Sequence, residues 1–243
     1  MIEMEGSPME NVKKIGKRST LLIILIWGGL WGIFEATVGY LLHLLPFSIG
    51  WLIWYPVAAF FMLNVYRKTQ RTETVLLVGL LSACIKLLNL FLPGRIDKVL
   101  NPAVSILFEA LAMMAVIFAV KHFFVKREGT LLMKALAVLC MNTGWRLLYA
   151  LYLLFLVPDW MREISVISST EAFVTFFLVY NFFTSLLLLF GSVTMKHILR
   201  PIKIIEDKLS VFLSSFPHGA AAAIKTTAAI CLIGSSIALE LLL

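Results

Sequence analysis

Residues 102–121 read Pro-Ala-Val-Ser-Ile-Leu-Phe-Glu-Ala-Leu-Ala-Met-Met-Ala-Val-Ile-Phe-Ala-Val-Lys. At 1.5 Å per residue, about 20 residues of helix span about 30 Å, the thickness of a bilayer's hydrocarbon core. The stretch therefore reads as a transmembrane helix. Between its ends it holds one charge, Glu109. An ionisable side chain at that depth costs about 3 kcal/mol or more unless it is paired or lines a wet cavity.

The same pattern recurs along the chain. Apolar runs at 20–44, 51–66, 73–92, 131–157, 171–196 and 219–242 each approach or reach membrane length, the second being short. Well within three of them stand the charges Glu35, Lys86 and Arg146. The 243 residues are 60% hydrophobic, with a mean hydropathy of +0.94. Soluble domains are usually about half apolar or less. Ten-residue blocks of period-2 alternation are absent, which argues against a β-barrel. Backbone groups in lipid must then be satisfied within helices. The expected fold is an all-α polytopic integral membrane protein: a six-helix core over 20–196 and an additional C-terminal transmembrane helix over 219–243.

The termini and linkers complete this division. Residues 1–19 are polar, and no small-residue cleavage site closes the following run, so no cleavable signal is expected. They read as a cytoplasmic tail, disordered over 1–12. In 197–218, Arg200, Lys203 and Lys208 alternate at helical spacing with Ile198, Leu199, Ile204, Ile205 and Leu209. This suits a helix lying along the membrane interface, or a helical linker, interrupted at Pro201.

The net charge of +7 reads as topology rather than nucleic-acid binding. Lys13, Lys14, Lys17 and Arg18 precede the first run, and Arg67, Lys68 and Arg71 follow the second. Lys121, Lys126, Arg127 and Lys134 surround the fourth gap, while Lys196, Arg200, Lys203, Lys208 and Lys225 surround the sixth. Only Arg95, Lys98 and Arg162 fall on the other side. The positive-inside rule puts the N-terminus in the cytoplasm and the chain in an inner or plasma membrane. Cys84, Cys140 and Cys231 lie in apolar runs, odd in number, and read as buried apolar fillers rather than disulfides or metal ligands.

Helical depth and phase gather the charges. Measured from the outer ends of their spans, Glu35, Lys86, Glu109 and Arg146 lie about 14, 9, 10 and 16 Å deep. Ser82, Lys86 and Asn89 form one stripe at i, i+4, i+7, and Asn142, Arg146 and Tyr149 repeat the spacing. Ser105 and Glu109 share a face, with Asn101 a turn above. The natural arrangement turns these stripes toward a shared cavity. Its expected substrate-binding residues are Glu35, Lys86, Asn89, Glu109, Asn142, Arg146, Tyr149 and Asn181, with Trp145, Tyr152 and Tyr180 as further walls. Both charge signs suit a small polar solute, zwitterionic or hydrogen-bonding, and the aromatics suit a ring. The alternative is structural: Lys86–Glu109 and Glu35–Arg146 as buried ion pairs that fix helix register.

On the first run, Gly28, Gly32 and Ala36 make a small-residue face for close helix contact, within the chain or with a partner. Trp27, Trp31, Trp51 and Trp54 read as core or interfacial aromatics, and His43 as a polar interface residue. P-loop, nucleophile-elbow and zinc-protease motifs are all missing, and no cluster has metal-ligand spacing. No cofactor and no enzymatic activity are expected. Energy for active transport would come from an ion gradient or a partner.

Six core helices, a cytoplasmic N-terminus, an outward polar pocket, small size and no ATPase motif resemble one family. It is the S-components, the substrate-binding membrane subunits of energy-coupling factor (ECF) transporters. The resemblance covers roughly residues 20–196, with local echoes in Gly28-xxx-Gly32-xxx-Ala36 and in Asn101-Pro102-Ala103…Glu109-Ala110. The family motif is typically Ala-xxx-Ala, and the family usually stops at six helices. The resemblance implies a vitamin-like micronutrient as ligand. It also implies a transmembrane coupling subunit and two cytoplasmic ABC ATPases as partners. Two other readings stay open. One is a membrane enzyme acting on a lipid or isoprenoid, with Glu35 or Glu109 as base and His43 as partner. The other is a self-contained secondary carrier, for which an internal repeat would be usual.

Overall fold

The structure is a computed structural model that describes residues 16–39, 50–93, 95–124 and 130–242. The expected disordered tail and His43 lie outside the described residues.

The described residues are helical almost throughout. Helix α1 (Lys17–Phe34) runs on into a π-helical turn, Glu35–Gly39. Helices α2 (Gly50–Thr69) and α3 (Glu73–Leu87) come next, and α3 ends in a 3-10 turn, Leu88–Phe91. Then come α4 (Asp97–Phe123), α5 (Leu131–Phe155) and a short α6 (Asp159–Glu163). Helix α7 (Thr170–Val174) passes through a second π turn, Thr175–Val179, into α8 (Tyr180–Ser214). Helix α9 (His218–Leu242) closes the series.

Local chemistry sets several boundaries. The Thr130 hydroxyl accepts the Met133 amide at 3.2 Å and caps α5, and Ser169 caps α7 through the Ala172 amide at 3.1 Å. Between α2 and α3 the chain reverses within four residues. Gln70 takes the left-handed conformation there, φ 55°, while the Thr69 and Thr74 hydroxyls bond each other at 2.7 Å.

Among the described residues, six helical segments are long and apolar enough to cross a membrane: Lys17–Val38, Glu73–Phe91, Asp97–Phe123, Leu131–Phe155, Thr170–Thr194 and Gly219–Leu242. The all-α polytopic fold is therefore as expected. Helix α2 is 20 residues long but less apolar, and its position explains why. It packs against α1, α3, α4 and α8, and Tyr55, Asn64 and Tyr66 are buried by protein. A helix shielded from lipid on most sides needs less hydrophobicity. Bulky apolar side chains instead cover the outside, for example Leu132, Phe155, Phe182 and Phe190. Such an exposed apolar surface suits lipid.

Glycines mark the closest approaches. A Cβ on Gly28 would stand 2.5 Å from Leu81 of α3, and one on Gly32 would stand 1.9 Å from the Ser236 hydroxyl of α9. Gly79 of α3 meets Ala110 of α4 equally tightly, at 2.5 Å. From 28 to 32 the α1 partners advance from Leu81 to Ile85, and from 29 to 32 they advance from Leu232 to Ser236. Helices α3 and α9 thus both run parallel to α1. We call the end where α1 begins proximal and the other distal. The small-residue face of α1 is filled by this chain's own α3 and α9.

Two expectations need revising. Helix α8 passes through Pro201 without a break, so residues 197–214 continue the preceding span. At 35 residues it is about 52 Å long, well beyond a bilayer core. Its proximal extension is tied to α2 by an ion pair of 2.6 Å between Lys68 and Glu206. The three cysteines are free but exposed on the outside of the bundle, not buried. They lie on apolar helices facing outward, so they serve as lipid-facing rather than core residues.

Candidate functional site

A cavity of about 720 Å³ lies in the distal half of the bundle. Its charged lining is Glu35 where α1 enters its π turn, Lys86 on α3, Asp97, Lys98 and Glu109 on α4, and Glu171 on α7. Its aromatic lining comes from Trp54 and Tyr55 of α2, Trp145 and Tyr149 of α5, Phe176 of the second π turn and Tyr180 of α8. The distal side is covered by the segment linking α6 to α7, which contributes Ile164, Ser165, Val166 and Ser169. Both π turns border the space. A π turn inserts a residue into the helix and redirects the turns beyond it, a device often found at functional sites.

The two acids are lightly tethered. Glu35 accepts a hydrogen bond from the Trp31 indole at 3.1 Å, and Glu109 accepts one from the Ser105 hydroxyl at 3.3 Å. Glu109 is buried against the cavity wall. The Tyr55 hydroxyl, also buried, has no hydrogen-bond partner among the described residues. Asn101 lines the space as well and accepts from the Tyr152 hydroxyl at 3.2 Å.

Lys86 is held differently. Its ammonium forms an ion pair with Glu240 of α9. The same carboxylate oxygen accepts the Asn89 amide at 2.6 Å. Lys86, Asn89 and Glu240 thus clasp α9 to α3. Neither buried pairing expected from sequence forms among the described residues: Lys86 pairs with Glu240 rather than Glu109, and no ion pair joins Glu35 to Arg146.

Asn142, Arg146 and Asn181 do not line the cavity. They form a layer between α5 and α8. The Asn142 amide donates to the Asn181 carbonyl and the Ser185 hydroxyl, both at 2.9 Å. Its side-chain oxygen accepts from Trp145 at 3.0 Å and from Arg146 at 3.4 Å. Asn181 in turn donates to Thr143 at 2.9 Å. The Arg146 guanidinium also donates to the Phe176 carbonyl at 2.9 Å and to Thr184 at 3.3 Å. It lies 4.7 Å from the Trp145 ring centre and 4.6 Å from that of Phe176. Planar, delocalised Arg suits such a stacked and bonded position. Fully buried, it stands behind the aromatic wall that the solute space meets.

Four of the eight expected residues therefore meet at the cavity: Glu35, Lys86, Glu109 and Tyr149. Asn89 joins the clasp to α9, and the other three join α5 to α8. Sequence reasoning passed over Glu240, although a lone acid in an apolar run is the signal that singled out Glu35. It also passed over Tyr55 and the covering segment, for which no local motif speaks. Among the described residues no cluster of His, Cys, Asp and Glu has the arrangement of a metal site. The chain matches no family model, no curated protein and no solved structure.

Proposed function

We propose that this protein is a membrane-embedded binding subunit for a small polar solute of vitamin-like size, working as part of an ECF-type importer. The observation that carries the reading is the distal cavity, where Glu35, Glu109 and Lys86 converge among aromatic rings inside a bundle covered by lipid-facing side chains. Its volume falls in the range of about 300–1,000 Å³ typical of small-molecule sites. Retaining charged groups within a membrane is costly, and a solute path is the usual reason. The basic loops favour a cytoplasmic proximal end in the plasma membrane, so the cavity lies in the outer half of the bilayer beneath the segment linking α6 to α7. With no nucleotide motif of its own, the subunit draws energy from a coupling subunit and ABC ATPases. These partners dock on a face other than Gly28–Gly32–Ala36, because α3 and α9 occupy that one.

Purification of the full chain from its native membrane, followed by native mass spectrometry, tests the reading. A bound small molecule released on unfolding is expected. Repeated isolation without one, together with no small-molecule binding, would overturn it. Co-purification of an ATPase pair tests the importer assignment separately.

A further inference from the structure

Both bases expected from sequence to balance the cavity's acids are engaged elsewhere. Lys86 is held by Glu240 of α9. Arg146 sits behind the Trp145 and Phe176 rings, bonded to Asn142, the Phe176 carbonyl and Thr184. Glu35 and Glu109 receive hydrogen bonds only from a neutral indole and a neutral hydroxyl, and neither joins an ion pair within the described residues. Toward the rim, Asp97 is paired with Arg95 at 2.9 Å, and the lining adds one base, Lys98, and one acid, Glu171. The interior balance is therefore acidic. Buried carboxylates call for a cationic partner.

The rings point the same way. Trp54, Tyr55, Tyr149 and Tyr180 line the same space. Aromatic faces carry negative electrostatic potential and attract ammonium groups. The Tyr55 hydroxyl supplies an unused hydrogen-bonding group.

We infer that the solute is an organic cation, an aromatic or heterocyclic amine, whose charged nitrogen sits between Glu35 and Glu109 while its ring stacks among the aromatic walls. This rests on the solute-binding reading and narrows it: among the described lining residues the acids Glu35, Glu109 and Glu171 outnumber Lys98, the one base outside an ion pair, so a zwitterion or an anion is the poorer match.

Four probes on one skeleton separate the possibilities: tyramine (cation), tyrosine (zwitterion), tyrosol (neutral) and 4-hydroxyphenylacetate (anion). Binding to the purified full chain in lipid nanodiscs is read by titration calorimetry. Tyramine is expected to bind at least about tenfold more tightly than the other three, the value of one charge-assisted hydrogen bond. Glu109→Gln and Glu35→Gln should each erase most of that preference, read as the ratio of tyramine to tyrosol affinity in the same variant. Helical circular dichroism and thermal unfolding matching the unmodified protein show that each variant is still folded. Equal binding of tyramine and tyrosol, as two neutral carboxyl groups would give, overturns the cationic assignment alone. So does a preference for the anion or zwitterion, or a tyramine preference that survives both substitutions. No binding of any probe up to millimolar concentration overturns the cationic assignment and the solute-binding reading together.

Discussion

Lys86 and Glu240, 154 positions apart in sequence, form an ion pair, buried at Glu240 and partly buried at Lys86, that joins the wall of the cavity to the last helix described. The pair makes α9 part of the site's architecture even though α9 contributes no lining residue. Lys86→Met and Glu240→Gln should each destabilise the protein by about 3 kcal/mol, since each leaves an opposite charge buried and unpaired. The double variant should recover most of that loss. Thermal unfolding of the four proteins in one detergent gives the coupling energy. Additive losses would show that the pair is not coupled.

The contact between Gly32 and Ser236 predicts a size-specific effect. A methyl group at Gly32 collides with the Ser236 hydroxyl, so Gly32→Ala should loosen α9 and Gly32→Leu should displace it. Ser236→Gly should relieve Gly32→Ala in large part. Disulfide trapping between cysteines placed at Gly29 and Leu232 measures the proximity of the two helices. Unchanged trapping in Gly32→Leu would contradict the packing described.

Arg146 should behave as a structural residue. Arg146→Ala removes a stacked and multiply bonded guanidinium from between α5 and α8, at a cost of about 3 kcal/mol or more. Arg146→Lys should rescue little, because an ammonium keeps the charge but neither the plane nor the fork of donors. Stability should fall in step with α5–α8 packing, seen as faster hydrogen exchange in both helices. A variant with native stability and lost solute binding would move Arg146 back to the cavity.

The orientation is checked by labelling. With Cys84, Cys140 and Cys231 replaced by Ala, single cysteines at Gln70 and Asp97 report opposite ends of the bundle. In intact cells an impermeant thiol reagent should modify the Asp97 position and spare Gln70, as the basic loops require. The reverse pattern would invert the membrane orientation and with it the half of the bilayer in which the cavity lies.

Much of the fold was legible because lipid imposes a simple grammar. Long apolar runs such as 102–121 became helices close to their expected bounds, since backbone groups have no other partners there. The gathering of Glu35, Lys86 and Glu109 was legible too, through depth along antiparallel spans. Their pairing was not. Depth fixes how far along a helix a charge sits but not which neighbour its helix touches, so Glu240, on a helix placed outside the six-helix core, was missed as the partner of Lys86. Asn142, Arg146 and Tyr149 were read as one stripe of α5, and of the three only Tyr149 reaches the cavity. Asn142 and Arg146 met the α7–α8 segment instead, a choice set by the rotation of α5 that no local pattern encodes. The cysteines show the same limit, because an apolar run does not say which side faces lipid.

The clasp between α3 and α9 also bears on how the chain is made. Helices enter the membrane in the order of synthesis, so Lys86 reaches the bilayer long before Glu240 leaves the ribosome. Until then the nascent bundle carries an ammonium without its Glu240 partner and an uncovered strip of glycine along α1. That intermediate has reason to stay at the insertion machinery, or with a membrane chaperone, until α9 arrives. A chain stopped short of α9 would display the same two features permanently, and membrane quality control would have a physical basis for telling it from the finished protein.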